Sequence, residues 1–201
     1  MNNEPGVDSR SLVADILNGN RRAFQVFVER HQRLVSHVVF RMVSNQSDRE
    51  DLCQEVFVKI YQNLAGFQFG SKLSTWVARI AYNTCINYLQ KKKVPLLGDL
   101  RHDDDARDAF ESAADDAPAP DQAAVDRDLF ERVQVEMNHL PPQYRAILTL
   151  YHLDEMSYEE VVEVTGLPMG TVKSYLYRAR RLLRDRLKKK YETEDIWQQG
   201  T

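Results

Sequence analysis

The 201 residues carry a formal net charge of −3, with 43% hydrophobic and 28% charged side chains, enough chain for one large or two small domains. No stretch reaches the roughly 18 consecutive apolar residues of a membrane-spanning helix, and Met1 to Gly6 lacks the basic and apolar blocks of a signal peptide, so a cytoplasmic chain without membrane insertion is expected. Two distant cysteines (Cys53, Cys85), five scattered histidines and eight glycines with no phosphate-cradling loop point away from a disulfide framework, a metal site, nucleotide chemistry and any cofactor.

Every periodic segment of the first ninety residues reads as helix. Ser9 can cap a short one carrying Leu12, Val13, Ile16 and Leu17, closed by Gly19. Asn20 can cap a longer one in which Ala23, Phe24, Phe27, Val28, Leu34, Val35, Val38, Val39, Met42 and Val43 form one wide apolar stripe. Ser47-Asp48-Arg49-Glu50 has the capping-box pattern and predicts a third helix, apolar at Leu52, Val56, Phe57, Ile60, Tyr61 and Leu64 and polar at Asp51, Gln54, Glu55 and Lys59. A glycine-flanked loop from Gly66 to Lys72 then leads to Ser74, the expected cap of a helix through Trp76, Ile80, Tyr82, Asn83 and Tyr88 to Lys91-Lys92-Lys93. Three lysines at a helix C-terminus suit the helix dipole and a phosphate equally well.

The near-neutral total hides a segregation of charge. Between Val94 and Asp128 there are eleven acids and three bases, net −8, which leaves +5 for the remainder. This Ala/Asp/Pro-rich stretch cannot bury enough apolar surface to fold alone. A solvated spacer and a polyanion lying in a groove otherwise open to nucleic acid both fit its composition.

The second module begins near Asp121. Val125, Leu129, Val133, Met137 and Leu140 form a stripe ending at Pro141-Pro142, and the next helix runs from Pro142 through Ala146, Ile147, Leu150 and Tyr151. Ser157-Tyr158-Glu159-Glu160 is a second capping box, opening a short helix with Val161, Val162 and Val164; the turn Thr165-Gly166-Leu167-Pro168 follows, then a long helix from about Gly170 to Lys190. That layout is a helix-turn-helix. At about 100° per residue, Val172, Leu176, Ala179, Leu183 and Leu187 share one side of the long helix, and Lys173, Ser174, Tyr177, Arg178 and Arg181 the other. Thr171 to Lys190 holds nine bases against Asp185, a local +8. A basic helix after a capped short helix and a glycine turn fits the DNA major groove, its early residues at base edges and its later Arg and Lys at phosphates.

Asp51-Leu52-Cys53-Gln54-Glu55-Val56-Phe57, the stretch Phe67 to Asn83 with Thr75-Trp76-Val77-Ala78-Arg79-Ile80-Ala81-Tyr82-Asn83, Ser157-Tyr158-Glu159-Glu160 and Gly170-Thr171-Val172-Lys173-Ser174 together resemble a bacterial RNA polymerase sigma factor of the sigma-70 family, in the sigma-E-like extracytoplasmic-function group. The motifs occur in family order over nearly the whole chain outside the termini and the acidic stretch. The resemblance implies an all-α chain: a sigma-2-like domain over 1–93, an acidic flexible linker over 94–120, a sigma-4-like helix-turn-helix domain over 121–190 and a tail over 191–201.

It also implies roles. Asp51, Gln54 and Glu55 would dock on the clamp helices of core RNA polymerase, with the flap as a further core contact, outward carboxylates setting register on a basic surface. Phe67, Phe69, Lys72, Arg79, Tyr82, Asn83 and Lys91 to Lys93 would open the minus-ten element and hold a flipped base, Asn83 foremost; Trp76 and Ile80 are expected in the core instead. Strand opening costs about 1.4 kcal/mol per base-pair step, and stacking of about 1 to 3 kcal/mol per captured base offsets part of it. Lys173, Ser174, Tyr177, Arg178 and Arg181 would read the minus-thirty-five element. Tyr175 and Lys173 stand where the sigma-E group usually has Arg, and Tyr177 where it has Phe, so the preferred upstream element is expected to differ; Lys brings a point charge in place of a planar fork. Promoter DNA, core polymerase and an anti-sigma factor are the implied partners, with a stress or envelope-response regulon.

Three other classes weigh less. A response regulator needs a receiver of alternating strands and helices, absent from residues 1 to 90. A sigma mimic, which sequesters an anti-sigma factor without touching DNA, has no need of Lys91 to Lys93 or a +8 helix. An enzyme needs a nucleophile with its base, or a carboxylate cluster, and none stands out; Asp154-Glu155 reads as a helix end and Glu159-Glu160 as a cap.

Overall fold

The computed structural model describes residues 9–96 and 132–192. The acidic stretch from residue 97, Val125, Leu129 and the tail from residue 193 lie outside the described residues. Everything described is helix or short connection, with no strand.

Helix α1 covers Ser9–Leu17 and presents Leu12, Val13 and Ile16 inward. The chain reverses at Gly19, whose φ of +84° is the left-handed region that glycine tolerates. The Asn20 side chain then accepts from the backbone of Arg22 and Ala23, starting α2 (Arg21–Met42) where expected. The stripe of α2 buries Ala23, Phe27, Val35, Val38, Val39 and Met42, together with His31, which sits on the same face; Phe24, Val28 and Leu34 are half-buried.

Helix α3 (Gln46–Asn63) starts earlier than the Ser47 capping box suggests, because Asn45 accepts from the Asp48 backbone N–H at 3.1 Å and makes an equally good cap. Its inward row is Leu52, Val56, Ile60 and Leu64. Tyr61, one residue and about 100° past Ile60, faces solvent, contrary to the expected stripe. A 3₁₀ turn over Leu64–Gly66 leads to the loop before α4 (Leu73–Lys91). Ser74 does not cap α4. Lys72 is extended there, and its carbonyl accepts the first helical bond from the Trp76 N–H at 3.1 Å. Trp76 and Ile80 are half-buried, packed against the core and not inside it.

The second half begins with α5, described over 132–137, followed by α6 (Pro142–His152), α7 (Tyr158–Thr165) and α8 (Met169–Leu187), which runs into a π turn over Lys188–Glu192. The Ser157 capping box forms in full: Ser157 Oγ accepts from the Glu160 N–H, and Glu160 Oε2 accepts from the Ser157 N–H at 2.9 Å. Gly166, at φ +70°, closes α7 in a left-handed cap. In α6 every residue from Gln143 to Leu150 is buried, a pattern a one-sided surface helix cannot give. It lies between α2 on one side and α8 on the other, while α7 packs on α4, so one hydrophobic core runs through both halves of the described chain. A Leu- or Ile-sized side chain fully buried there contributes about 1.5–3 kcal/mol.

Candidate nucleic-acid interface

Helix α8 divides as its periodicity predicts. Val172, Leu176 and Ala179 are buried, Leu183 and Leu187 half-buried, while Lys173, Tyr177 and Arg181 are exposed and Ser174 and Arg178 half-exposed on the opposite side. The glycine turn and capped α7 hold α8 by its N-terminal end, with this row on the side away from the core. The Lys173 ammonium stands 5.7 Å over the Tyr158 ring, a cation–π contact that steadies a long side chain without covering it. Tyr175 does not join the outward row. It is buried edge-on against Tyr144, ring centroids 5.3 Å apart, so its side chain serves packing.

The later bases of α8 are not all available to phosphates. Glu136 of α5 is buried and accepts from Arg186 Nε at 3.1 Å and Lys190 Nζ at 2.9 Å, and the Lys190 hydrogen bond foremost holds its carboxyl below the ordinary value. Asp185 draws Arg184 and Arg181, at 3.5 and 3.9 Å.

On α3, Asp51, Gln54 and Glu55 are all exposed on one face, with Glu55 paired to Lys59 at 2.7 Å one turn on.

The residues assigned to the minus-ten strand divide into two sets. Arg79, Asn83, Lys91, Lys92 and Lys93 are exposed along α4 and its end, and Lys72 is exposed at its start. Lys92 leans over the Tyr88 ring at 5.6 Å and lies 3.8 Å from Asp48; the Tyr88 hydroxyl hydrogen-bonds Asp48, which pushes its pKa up to about 12. Phe67 and Tyr82, in contrast, are buried. Phe67 packs on Trp76 at 5.0 Å and Phe69 at 4.7 Å and so anchors the loop; Phe69 is half-buried, has φ +56°, and carries Arg10 4.7 Å over its ring.

Tyr82 lies under the second half of the chain. Burial raises its pKa to about 12, against the opposing effect of a hydrogen bond with Gln143 of α6. Nearby, Glu160 Oε1 accepts from Lys72 Nζ at 2.9 Å and from Thr75 Oγ1 at 3.2 Å. Burial pushes the Glu160 carboxyl up, but the hydrogen bonds from the Ser157 backbone, Lys72 and Thr75 outweigh it and hold the group below its ordinary value. At the far edge His37 Nδ1 is 2.9 Å from Asp154 Oδ1, and Arg41 hydrogen-bonds Gln134. Burial raises the Asp154 carboxyl, partly countered by His37.

Glu160, Thr75, Gln143, His37 and Asp154 are the residues that sequence reasoning missed as interacting groups. Glu160 was legible only as a cap. Nothing in the periodicity reveals that its second oxygen meets a helix 85 residues away.

Among the described residues no cluster of His, Cys, Asp and Glu could hold a metal, and no helix is long and apolar enough to cross a membrane. Residues 27–94 match the family model for Sigma-70 region 2, and residues 130–183 the model for Sigma-70, region 4. The chain is 36% identical over 178 residues to an ECF RNA polymerase sigma-E factor of Escherichia coli, covering 86% of this chain and 90% of that one. It is 30% identical over 180 residues to the ECF RNA polymerase sigma factor SigW of Bacillus subtilis, covering 89% and 96%. Its fold is similar to that of CnrH solved in complex with the cytosolic domain of CnrY, with a TM-score of 0.62 at 23% identity over 90% of this chain and 97% of that one. With an all-helical fold, a helix-turn-helix presenting a basic row and two family regions in order, this chain belongs to the extracytoplasmic-function group of RNA polymerase sigma factors.

Proposed function

We propose that the residue roles within this sigma factor fall on three surfaces: Asp51, Gln54 and Glu55 of α3 on core polymerase, the outward row of α8 on the minus-thirty-five element, and α4 on the minus-ten strand. The observation that carries the reading is the outward row Lys173, Ser174, Tyr177, Arg178 and Arg181 on a helix held by a capped α7 and a left-handed Gly166. Lys173 and Arg178 supply donors for base edges or the nearest phosphates, and Tyr177 an apolar contact. Asn83 offers edge hydrogen bonds to an unpaired base, with Arg79 and Lys91 to Lys93 beside it for the backbone. The protein captures the base and performs no chemistry on it; it acts in the cytoplasm as a binding factor and not as an enzyme, without a cofactor. The domain limits proposed for these tasks are 1–93 and 121–190, joined by the acidic linker 94–120, with 191–201 as a tail.

An anti-sigma factor is the proposed regulator, supported by a protein of similar fold, the sigma factor RpoE of Bartonella quintana, which was solved in complex with the anti-sigma factor NepR.

The test is run-off transcription with purified core bacterial polymerase on a randomised promoter library. Wild type is expected to select two-part templates. Lys173→Ala should change the upstream preference, by about 1–3 kcal/mol of discrimination at the position it reads, and Asn83→Ala should change the downstream one. Core that binds the chain yet fires from no template would support a sequestering mimic; core that fails to bind overturns the assignment of α3.

A further inference from the structure

Helix α8 is longer than the groove it would enter. Its 19 residues span about 28 Å, against about 12 Å for the width of the major groove, so with Lys173 at base edges its last turns pass the phosphate backbone. Two acids meet the bases there, and they differ in kind. Asp185 has a side chain 54% exposed and lies 3.9 and 3.5 Å from Arg181 and Arg184, loose pairs in water that a phosphate exchanges readily. Glu136 of α5 has a side chain only 3% exposed, and both of its oxygens are taken: Oε2 accepts from Arg186 Nε at 3.1 Å, and Oε1 from Lys190 Nζ at 2.9 Å. A buried carboxylate is stable only while such partners stay with it, so these two heads are turned to α5 while Lys173, Tyr177 and Arg181 face outward.

We propose that Glu136 is a positioning residue that limits sequence-independent DNA binding: by holding Arg186 and Lys190 against α5 it withholds them from phosphates, so that attachment of α8 depends on its outward row. This rests on the assignment of α8 to the minus-thirty-five element. A Lys or Arg on a phosphate releases counterions wherever the protein lands, and so adds affinity at selected and unrelated sites alike. Thr171 to Lys190 carries nine bases against one acid, and without a partner from α5 all of that excess would act at every site. The acid that turns two of the nine inward lies about fifty residues earlier in the chain and is held ionised, foremost by the Lys190 hydrogen bond.

Glu136→Gln keeps the shape of the side chain and one acceptor but removes the charge. Full-length wild type and variants, each bound to core polymerase, are compared by fluorescence anisotropy over a series of salt concentrations, on a duplex selected in the run-off experiment and on the same duplex with its upstream element scrambled. For Glu136→Gln, log K should fall with log salt more steeply by about 0.9 for each released base that reaches a phosphate, up to about 1.8, which is up to about twelvefold extra tightening on a fourfold dilution of salt. The gain should be similar on both duplexes, and the triple variant Glu136→Gln/Arg186→Gln/Lys190→Gln should return to the wild-type slope. A Glu136→Gln slope equal to that of wild type overturns the inference, as does a steeper slope that the triple variant keeps. Arg186→Gln/Lys190→Gln with Glu136 intact tests the same point without relying on the folding of Glu136→Gln: an unchanged slope is expected, and a flatter one would show that the two bases reach phosphates in spite of Glu136 and overturns the inference. If Lys173→Ala alters the upstream preference while Glu136→Gln keeps the wild-type slope, this inference alone falls; if neither substitution changes DNA binding, the assignment of α8 falls with it.

Discussion

The two helices assigned to DNA are held in opposite ways. Helix α8 turns its candidate base-facing row outward and keeps only Val172, Tyr175, Leu176 and Ala179 inside, whereas α4 buries Tyr82, a residue of its candidate face, together with Thr75 against the other half of the molecule. The difference arises from what each helix packs on. Helix α8 closes a small helix-turn-helix unit that needs one of its faces, while α4 is gripped between α2 and α3 on one side and α7 on the other.

The strongest way to break that arrangement is at its centre. Ile147 is fully buried in α6 between the two halves, and Ile147→Ala should cost about 2–5 kcal/mol in chemical denaturation. One transition shifted as a whole is expected; two separate transitions would show that the halves do not share a core.

Acid should act through one buried histidine. His31 is buried in α2 with its ring centroid 4.5 Å from that of Phe27, and burial, assisted by Arg30, lowers its pKa from 6.5 to about 4. The unfolded chain therefore binds a proton that the folded chain refuses between these values. Stability is unaffected above about pH 6.5 and falls as pH drops toward 4, by about 3 kcal/mol in all. Denaturant melts of wild type and His31→Leu at pH 7 and pH 4.5 check the sign: the wild-type loss on acidification should be smaller by most of that amount in the variant.

A smaller effect sharpens the contrast from the other side. Ser157→Ala removes the hydroxyl half of the α7 capping box and should cost about 1 kcal/mol. Because Glu160 also faces Lys72, the same substitution should loosen the contact of α7 with α4 slightly, read as faster hydrogen exchange in α7 than in α2.

Much of the fold was legible from pattern. Asn20, the Ser157 box and Gly166 act locally, through hydrogen bonds within three residues or a φ that glycine alone adopts freely, so they can be read from neighbours in the chain. The same holds for the outward row of α8 and for the exposed Asp51, Gln54 and Glu55 of α3. Reading failed where two local solutions were equally good, as with Asn45 against Ser47 for the start of α3, and where the helix begins with no side-chain cap, at Lys72 and not Ser74 for α4. It failed again at Arg186 and Lys190, counted with the phosphate-facing bases but turned back to Glu136 about fifty residues earlier.

The helices, the Asn20 and Ser157 caps, the helix-turn-helix and the family came from the order of residues alone, because each depends on a period of 3.6 or on a short motif. Which aromatic rings are free to meet a base, and which acid answers Lys72, only the tertiary structure decided. Phe67 and Tyr82 have the chemistry for stacking, but availability is a matter of what packs on them, and a carboxylate 88 residues from Lys72 along the chain is brought to it by the shared core of α2, α4, α6 and α7.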